Sequence, residues 1–400
     1  MNLPVNTPPE ATASPNTVVW ADPARASAFA HWLASIAGPR QLQSDSLRLA
    51  SADASFRRYF RLDAADGASY IVMDAPPALE DCKPFARVAA LMEAAGLNAA
   101  RVLAWDEAGG FMLLNDLGAQ TMMDVLQPPG AVDAIAQPTA AHEALYMSAV
   151  DTLIRWQLSS QPGVLPPYDE ALLSRELGLF PDWYVGKHRG FVLDAAQQNT
   201  LDTAFAQIRA SNLQSLDGAR VFVHRDFMPR NLMISNTEAQ FSDGPPLGKL
   251  APSGGSAVRE ATSVGAQLLG VLDFQDAVYG PITYDIASLM RDAFLSWEED
   301  FVLDITVRYW QQARKAGLPV GDDFGEFYRA VEWMGLQRHL KILGIFARLT
   351  LRDGKPRYLA DTPRFIKYVR ATAARYRQLG PLMVLLDAIE GNETRVGYTF

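Results

Sequence analysis

Two apolar runs enclose a polar loop in the stretch Val221-Phe-Val-His-Arg-Asp-Phe-Met-Pro-Arg-Asn-Leu-Met-Ile234. The runs are of strand length, and the loop between them contains Asp, Pro and Asn, which is typical of two strands joined by a turn. The loop carries three residues suited to catalysis: His224, Asp226 and Asn231. Because catalytic side chains usually lie on loops held by a rigid scaffold, we predict a catalytic loop here.

A second short apolar strand is predicted at 269–272, and it ends in Asp273. The spacing from Asp226 to Asn231 matches the catalytic loop of protein kinases, in which the aspartate takes the proton of the acceptor hydroxyl and the asparagine binds Mg²⁺. Asp273 falls where that fold has its main metal-ligating aspartate. Each residue alone is more often a turn former or a helix cap, but their combination with flanking strands favours phosphoryl transfer.

These residues, followed by Gly280-Pro-Ile-Thr-Tyr-Asp-Ile-Ala-Ser-Leu289, resemble the aminoglycoside phosphotransferase and choline kinase family of small-molecule kinases. The resemblance spans roughly residues 25–375. It implies an α+β, two-lobed protein-kinase-like fold, with a small antiparallel β-sheet N-lobe and a mainly helical C-lobe, and ATP and Mg²⁺ as cofactors. Within the family, Val72-Met-Asp-Ala-Pro-Pro77 is similar to the bacterial anomeric sugar kinases of cell-wall recycling. The acceptor implied is the C1 hydroxyl of an N-acetyl sugar.

The roles of the site residues follow from the charge that phosphoryl transfer develops. We expect Asp226 to accept the proton of the acceptor hydroxyl, and His224 to lock the loop through hydrogen bonds rather than to react. Asn231 and Asp273 are expected to hold one or two Mg²⁺ ions. Asp285 is expected either to cap the helix that it begins or to brace the catalytic loop.

The composition describes a globular chain of 400 residues, 49% of them hydrophobic, with a formal net charge of −9. An acidic chain is a poor partner for nucleic acid, which is bound by clustered Lys and Arg. The single cysteine, Cys82, cannot form an internal disulfide and indicates a reducing compartment. No apolar run approaches the length of about 20 residues that a membrane span needs. We expect a cytoplasmic protein with no membrane anchor and no obligate protein partner.

The predicted organisation is a disordered tail at 1–17, the N-lobe at 18–117 and the C-lobe at 118–400, with a flexible insertion near 235–266. The first helix is predicted to begin at Asp22-Pro23 and to end at Gly38. Three strands follow, then a helix and two further strands. Periodic helices are predicted in most of the C-lobe, at positions including 141–158, 172–187, 297–316, 324–350 and 363–378.

The nucleotide site is predicted in the N-lobe from two features. Arg57 and Arg58 offer charge for phosphate at the tip of the first hairpin. The family resemblance implies that Asn115 and Leu117 lie in the hinge that binds adenine. The third strand lacks the expected lysine, with Met73 or Asp74 near its place, and the cations that could replace it are Arg57, Arg58, Arg61 and Lys83. A nucleotide-binding pseudokinase therefore stays open as an alternative.

The acceptor site is predicted in the aromatic-rich segment 172–187. A helical core stripe is the commoner meaning of such a pattern, and a wall that stacks on a sugar ring is the functional one. The candidate residues are Arg175, Glu176, Phe180 and Trp183. A kinase for an aminoglycoside, choline or another amino alcohol is the rival with the same chemistry, and it calls for an acceptor pocket lined mainly with carboxylates.

Overall fold

The computed structural model describes residues 18–52, 56–127, 138–234 and 269–391. The chain divides into two compact units. The sheet unit contains the described residues up to Ala94 together with Ala99–Gly118, and the helical unit contains Ala95–Asn98 and the described residues from Ala119 onward. The predicted tail at 1–17 and the predicted insertion near 235–266 both lie outside the described residues.

The sheet unit is built on a five-stranded antiparallel sheet of order β1-β2-β3-β6-β5. Its helices are α1 (Pro23–Arg40) and α2 (Lys83–Ala94). The strands along this part of the chain are β1 (Leu42–Ala52), β2 (Arg58–Ala64), β3 (Ser69–Asp74), β4 (Asn98–Ala99), β5 (Val102–Asp106) and β6 (Phe111–Asn115).

Helix α1 covers one face of this sheet. Alternate residues of β2, among them Phe60, are buried on that face, as the period of two in a strand requires. Phe29 of α1 packs edge-on against Phe60 and Phe111, with ring centroids 5.7 and 5.4 Å away. The helix begins at the predicted cap, Asp22, but continues past Gly38. It ends where Gln41 takes a left-handed conformation and its amide binds the carbonyls of the last turn.

The helical unit contains nine α-helices and four short strands within the described residues. The helices are α3 (Met122–Leu126), α4 (Ala140–Leu158), α5 (Glu170–Leu179), α6 (Ala195–Gln214), α7 (Thr283–Met290), α8 (Glu299–Lys315), α9 (Phe324–Leu351), α10 (Thr362–Arg375) and α11 (Gly380–Glu390). The strands are β7 (Arg220–Val223), β8 (Leu232–Met233), β9 (Gly270–Val271) and β10 (Val278–Pro281). Strand β7 pairs with β10 and β8 with β9, both antiparallel.

Helix α9 is buried along most of its length and packs against α5, α7 and α10. It meets α5 where that helix changes into a π-helix, Phe180–His188, in the segment predicted as one continuous helix. Gly344 permits this contact, because a Cβ there would lie 2.3 Å from the Leu179 carbonyl oxygen. None of the helices in the described ranges combines the length and apolar character needed to cross a membrane.

Candidate active site

The catalytic loop leaves β7 at His224 and returns to the sheet through a short 3₁₀ turn, Pro229–Asn231. Proline suits the first position of such a turn because its φ is fixed and it has no N–H to leave unpaired. Asn231 then folds back over the loop, and its Nδ2 donates to the Asp226 carbonyl oxygen at 2.8 Å. The loop is thereby closed on itself through the amide nitrogen of Asn231, whose predicted metal-binding atom is the other side-chain atom, Oδ1.

Asn231 and Asp273 are brought together by the pairing of β8 with β9. Leu232 is paired with Val271, and the Leu272 amide donates to the Asn231 carbonyl oxygen at 2.9 Å. Asn231 thus immediately precedes β8, and Asp273 follows β9 after one residue, Leu272. Carboxylate and amide oxygens are the ligands that Mg²⁺ prefers, and it commonly takes only one or two from protein, with phosphate and water completing the shell. The oxygen donors of the pair fit such an ion, and Asp273 Oδ1 here accepts from Gln275 Nε2 at 2.8 Å.

His224 joins the loop to the strand that ends at Asp273. Its Nδ1 accepts from the Asp226 amide at 3.3 Å, so its Nε2 carries the proton and donates to the Leu272 carbonyl oxygen at 2.9 Å. Burial lowers the pKa of His224, against the neighbouring charges of Asp285 and Asp226, and keeps the ring neutral near pH 7. The ring thus links the backbone of Asp226, the predicted base, to Leu272, the residue before the predicted metal ligand Asp273.

Asp285 braces the catalytic loop. Its two carboxylate oxygens accept from the His224 and Arg225 amides at 2.7 and 3.0 Å, whereas α7 has no side-chain cap. Arg225 has φ of 79° and Asp273 has φ of 62°, a left-handed conformation that residues with a Cβ seldom adopt. Such conformations persist where the surrounding structure holds them. Of the two roles open from the sequence, Asp285 has the brace.

Glu176 is buried against the same loop. It accepts from Arg225 Nη2 at 2.5 Å and from Lys341 Nζ at 2.8 Å, and also from Tyr168 and Gln337. Burial opposes ionisation of this carboxyl, but the charges of Lys341 and Arg225 prevail and lower its pKa to about 2. The ionised side chain therefore anchors Arg225 to helices α5 and α9.

The other three predicted acceptor residues lie on or just beyond α5. Arg175 is exposed on the helix, although its neighbour Glu176 points into the core. Phe180 is fully buried and stacks on Tyr184, with ring centroids 5.6 Å apart. Trp183 is half-buried, with Lys187 Nζ 3.4 Å from its ring centroid. Of the four, Glu176 makes a direct contact with the catalytic loop.

The predicted nucleotide residues of the sheet unit have protein partners. Arg57 pairs with Glu80 at 3.2 Å, and Arg58 pairs at 2.5 Å with Asp74, a fully buried carboxylate that also binds Arg25.

The hinge segment is similarly fixed within that unit. Asn115 Oδ1 accepts from the Arg101 amide at 2.5 Å, and Leu117 is buried. Between them, Asp116 accepts from Arg61 at 2.5 Å and from Ser69 at 2.7 Å. Two of the arginines that could have replaced the missing lysine, Arg58 and Arg61, thus neutralise buried carboxylates.

Two polar residues of α9 that the sequence did not mark as functional also hold the loop. Arg338 Nη1 donates to the Arg225 carbonyl oxygen at 2.6 Å, and Lys341 binds Glu176. Both are buried. The sequence does contain a signal for them, namely polar residues inside an otherwise apolar helix. Because buried charges are rare unless they are paired, such residues indicate partners elsewhere in the fold.

This geometry and fold define a phosphotransferase. The chain belongs to the phosphotransferase enzyme family, whose model matches residues 46–242 and 264–323. It is 43% identical over 376 residues to the N-acetylmuramate/N-acetylglucosamine kinase of Neisseria meningitidis, covering 92% of this chain and 98% of the relative. It is 46% identical over 343 residues to the protein of the same description from Pseudomonas aeruginosa, covering 85% and 87%.

The fold is also found among solved structures. An amicoumacin kinase in complex with AMP-PNP and Ca²⁺ is similar with a TM-score of 0.53 and 14% identity, over 86% of this chain and 93% of that one. At this identity the likeness concerns the fold alone. The α+β, kinase-like fold class predicted from the sequence is confirmed, as is the assignment to a family of phosphotransferases.

Proposed function

We propose that the protein transfers the γ-phosphoryl group of ATP to the anomeric C1 hydroxyl of N-acetylmuramate and N-acetylglucosamine, with Mg²⁺ as the metal. The observation that carries the proposal is the bonding of the loop from His224 to Asn231 with Leu272, which lies between β9 and Asp273. The acceptors are those for which the relatives that are 43% and 46% identical over most of the chain are named. Such a reaction belongs to the recycling of cell-wall sugars in the cytoplasm, where ATP is available.

Asn231 and Asp273 are the residues that would hold Mg²⁺, and the ion would neutralise charge on the phosphate oxygens as the phosphoryl group is transferred. Asp226 takes the proton of the C1 hydroxyl. An anomeric hydroxyl is more acidic than other sugar hydroxyls, so a carboxylate suffices as the base. Neutral His224 donates to Leu272 and keeps Asp226 and Asp273 in register throughout the reaction.

In the sheet unit, we propose that Arg57 contributes to phosphate binding and that the segment from Asn115 to Leu117 contributes to nucleotide binding. We assign Arg58 to the same phosphate-binding region. Its ion pair with Asp74 limits how far its guanidinium can turn toward a phosphate. This set contains no lysine on β3. Of the cations considered from the sequence, Arg57 is the one that we assign to the phosphates.

The test is an acceptor panel with the purified full chain, ATP and Mg²⁺. ADP release is measured with N-acetylmuramate, N-acetylglucosamine, choline and an aminoglycoside, and the product is examined by phosphorus NMR. We expect turnover with the two sugars and a phosphorus signal coupled to the anomeric proton. Turnover with choline or the aminoglycoside alone would assign the rival acceptor class. Nucleotide binding without turnover of any acceptor would assign a pseudokinase.

A further inference from the structure

The two arginines of the catalytic loop differ in their partners. Arg225 is bound by Glu176 and by the Asp276 carbonyl oxygen. Arg230 is exposed, and its guanidinium carbon lies 4.6 Å from the ring centroid of Phe294. Within the part of the chain that the structure describes, no carboxylate lies within ion-pair distance of Arg230. The charge of Arg230 acts on the buried Asp292 carboxylate without forming an ion pair with it, and the exposed Arg230 side chain can still bind a ligand.

Arg230 lies on the same short loop as Asp226, the proposed base. It lies in the 3₁₀ turn immediately before Asn231, whose side chain closes the loop onto the Asp226 carbonyl oxygen. The backbone of Arg230 is thus held on the same small loop as Asp226. An acceptor whose hydroxyl reaches Asp226 has the rest of its ring and substituents in the neighbourhood of this turn.

Phe294 provides a platform for the guanidinium. Its amide donates to Asp292 Oδ1 at 2.6 Å, and the Leu295 amide donates to the same atom at 2.8 Å. Asp292 is buried, so this short segment is anchored from within. A guanidinium that stacks on an aromatic face keeps the N–H groups of its edge available, and these match the two oxygens of a carboxylate.

We infer that Arg230, stacked on Phe294, binds the carboxylate of an acidic acceptor sugar. The inference rests on the proposed function. N-acetylmuramate differs from N-acetylglucosamine by a lactyl ether that carries a carboxylate. A comparison of the two acceptors therefore isolates the contribution of this carboxylate to binding. With the neutral sugar, Arg230 stays stacked and hydrated at no cost, and both sugars are accepted by one site.

The test compares kcat and KM for the two sugars in Arg230→Gln. Hydrogen bonds to charged groups contribute about 1.5–3 kcal/mol, which corresponds to about 10- to 100-fold. We expect KM for N-acetylmuramate to rise by about that factor, while KM for N-acetylglucosamine stays within about twofold. Arg230→Lys should recover part of the loss. Added salt should weaken binding of the acidic sugar in the unaltered protein and not in Arg230→Gln.

Arg329→Gln is the matched control, because Arg329 is also exposed and stacks on an aromatic ring, that of Trp333. This variant should leave the ratio of KM for N-acetylmuramate to KM for N-acetylglucosamine unchanged. If the ratio of KM for N-acetylmuramate to KM for N-acetylglucosamine is unchanged in Arg230→Gln, or rises in Arg175→Gln instead, the assignment of Arg230 is overturned while sugar turnover still upholds the proposed function. Absence of turnover of both sugars by the unaltered protein overturns both.

Discussion

Glu176 accepts a hydrogen bond of 2.5 Å from the Arg225 side chain, although the two residues are 49 positions apart in the sequence. Arg225 is also the residue whose amide binds Asp285 and whose carbonyl oxygen accepts from Arg338. Its backbone and side chain are thus held from three elements, α5, α7 and α9. This is how the loop maintains a left-handed residue directly before its proposed base, Asp226.

Glu176→Gln should destabilise the protein because it leaves Arg225 and Lys341 buried without their shared anion. Breaking a buried pair costs about 3–5 kcal/mol, and we expect a fall of that order in the free energy of unfolding at pH 7. The pKa of Glu176 is lowered to about 2 from 4.5, so its stabilisation is present above pH 4.5 and is lost as pH falls toward 2. Urea unfolding at pH 7 and pH 3 measures this. Equal stability of variant and parent at pH 7 would refute the role.

Asp226→Asn should lower kcat by about 10²-fold to 10⁴-fold, because an amide cannot accept the acceptor's proton. The substitution keeps the backbone contacts of residue 226 with His224 and Asn231, so nucleotide affinity measured by calorimetry should be retained. Asp322→Asn is the control, since that carboxylate pairs with Arg314 at an exposed site. Sugar turnover within tenfold of the parent in Asp226→Asn would remove the base assignment.

Gly344→Ala should be strongly destabilising, since the added Cβ would meet Leu179 backbone atoms at 2.3 and 2.4 Å, and backbone cannot turn aside as a side chain can. Overpacking of this kind costs about 1–3 kcal/mol and occasionally more. Gly335→Ala is a matched control on the same helix, where the nearest atom to a Cβ lies at 3.7 Å. Thermal unfolding should show a lower Tm for the first variant and an unchanged or higher Tm for the second. The same shift in both would contradict the close contact of α5 with α9.

Asp292→Asn should change how stability depends on pH. Burial raises the pKa of Asp292 to about 6, although the amides of Phe294 and Leu295 oppose this. The folded state therefore binds more protons than the unfolded state between about pH 4 and pH 6, and stability falls as pH rises through that range. The asparagine oxygen can still accept from both amides. The parent should lose about 1–3 kcal/mol relative to the variant between pH 4 and pH 7, measured by chemical unfolding at both values. Parallel pH profiles would show that Asp292 titrates normally.

Local patterns in the sequence were sufficient to predict the fold class, and they also indicated the candidate catalytic loop. The spacing of Asp226 and Asn231 is set by a single turn, and a turn is specified by residues that are adjacent in the chain. The strand before Asp273 could also be predicted, because a short apolar run precedes the carboxylate. The long helices α4, α8 and α9 have the expected periodicity, because each is patterned against the core along its whole length.

Contacts between distant segments could not be predicted in the same way. Arg58 offers the same charge to a phosphate or to a carboxylate, and only the pairing of β2 with β3 shows that Asp74 lies opposite it. Glu176 lies in an aromatic segment for which a core stripe was the commoner interpretation and a sugar wall the functional one, whereas its partners come from the catalytic loop and from α9. Such long-range pairs have no periodic signal, and neither does the change from α-helix to π-helix at Phe180.

The bonds around Leu272 have a consequence for engineering. Its amide is bound by Asn231 and its carbonyl oxygen by His224, so the spacing of Asn231 and Asp273, the proposed metal ligands, is set at the base of the β8–β9 pair. Both bonds use main-chain atoms of Leu272, and every residue except proline has the same N–H and C=O groups. The half-buried side chain at position 272 can therefore be exchanged for another apolar one without the loss of either bond.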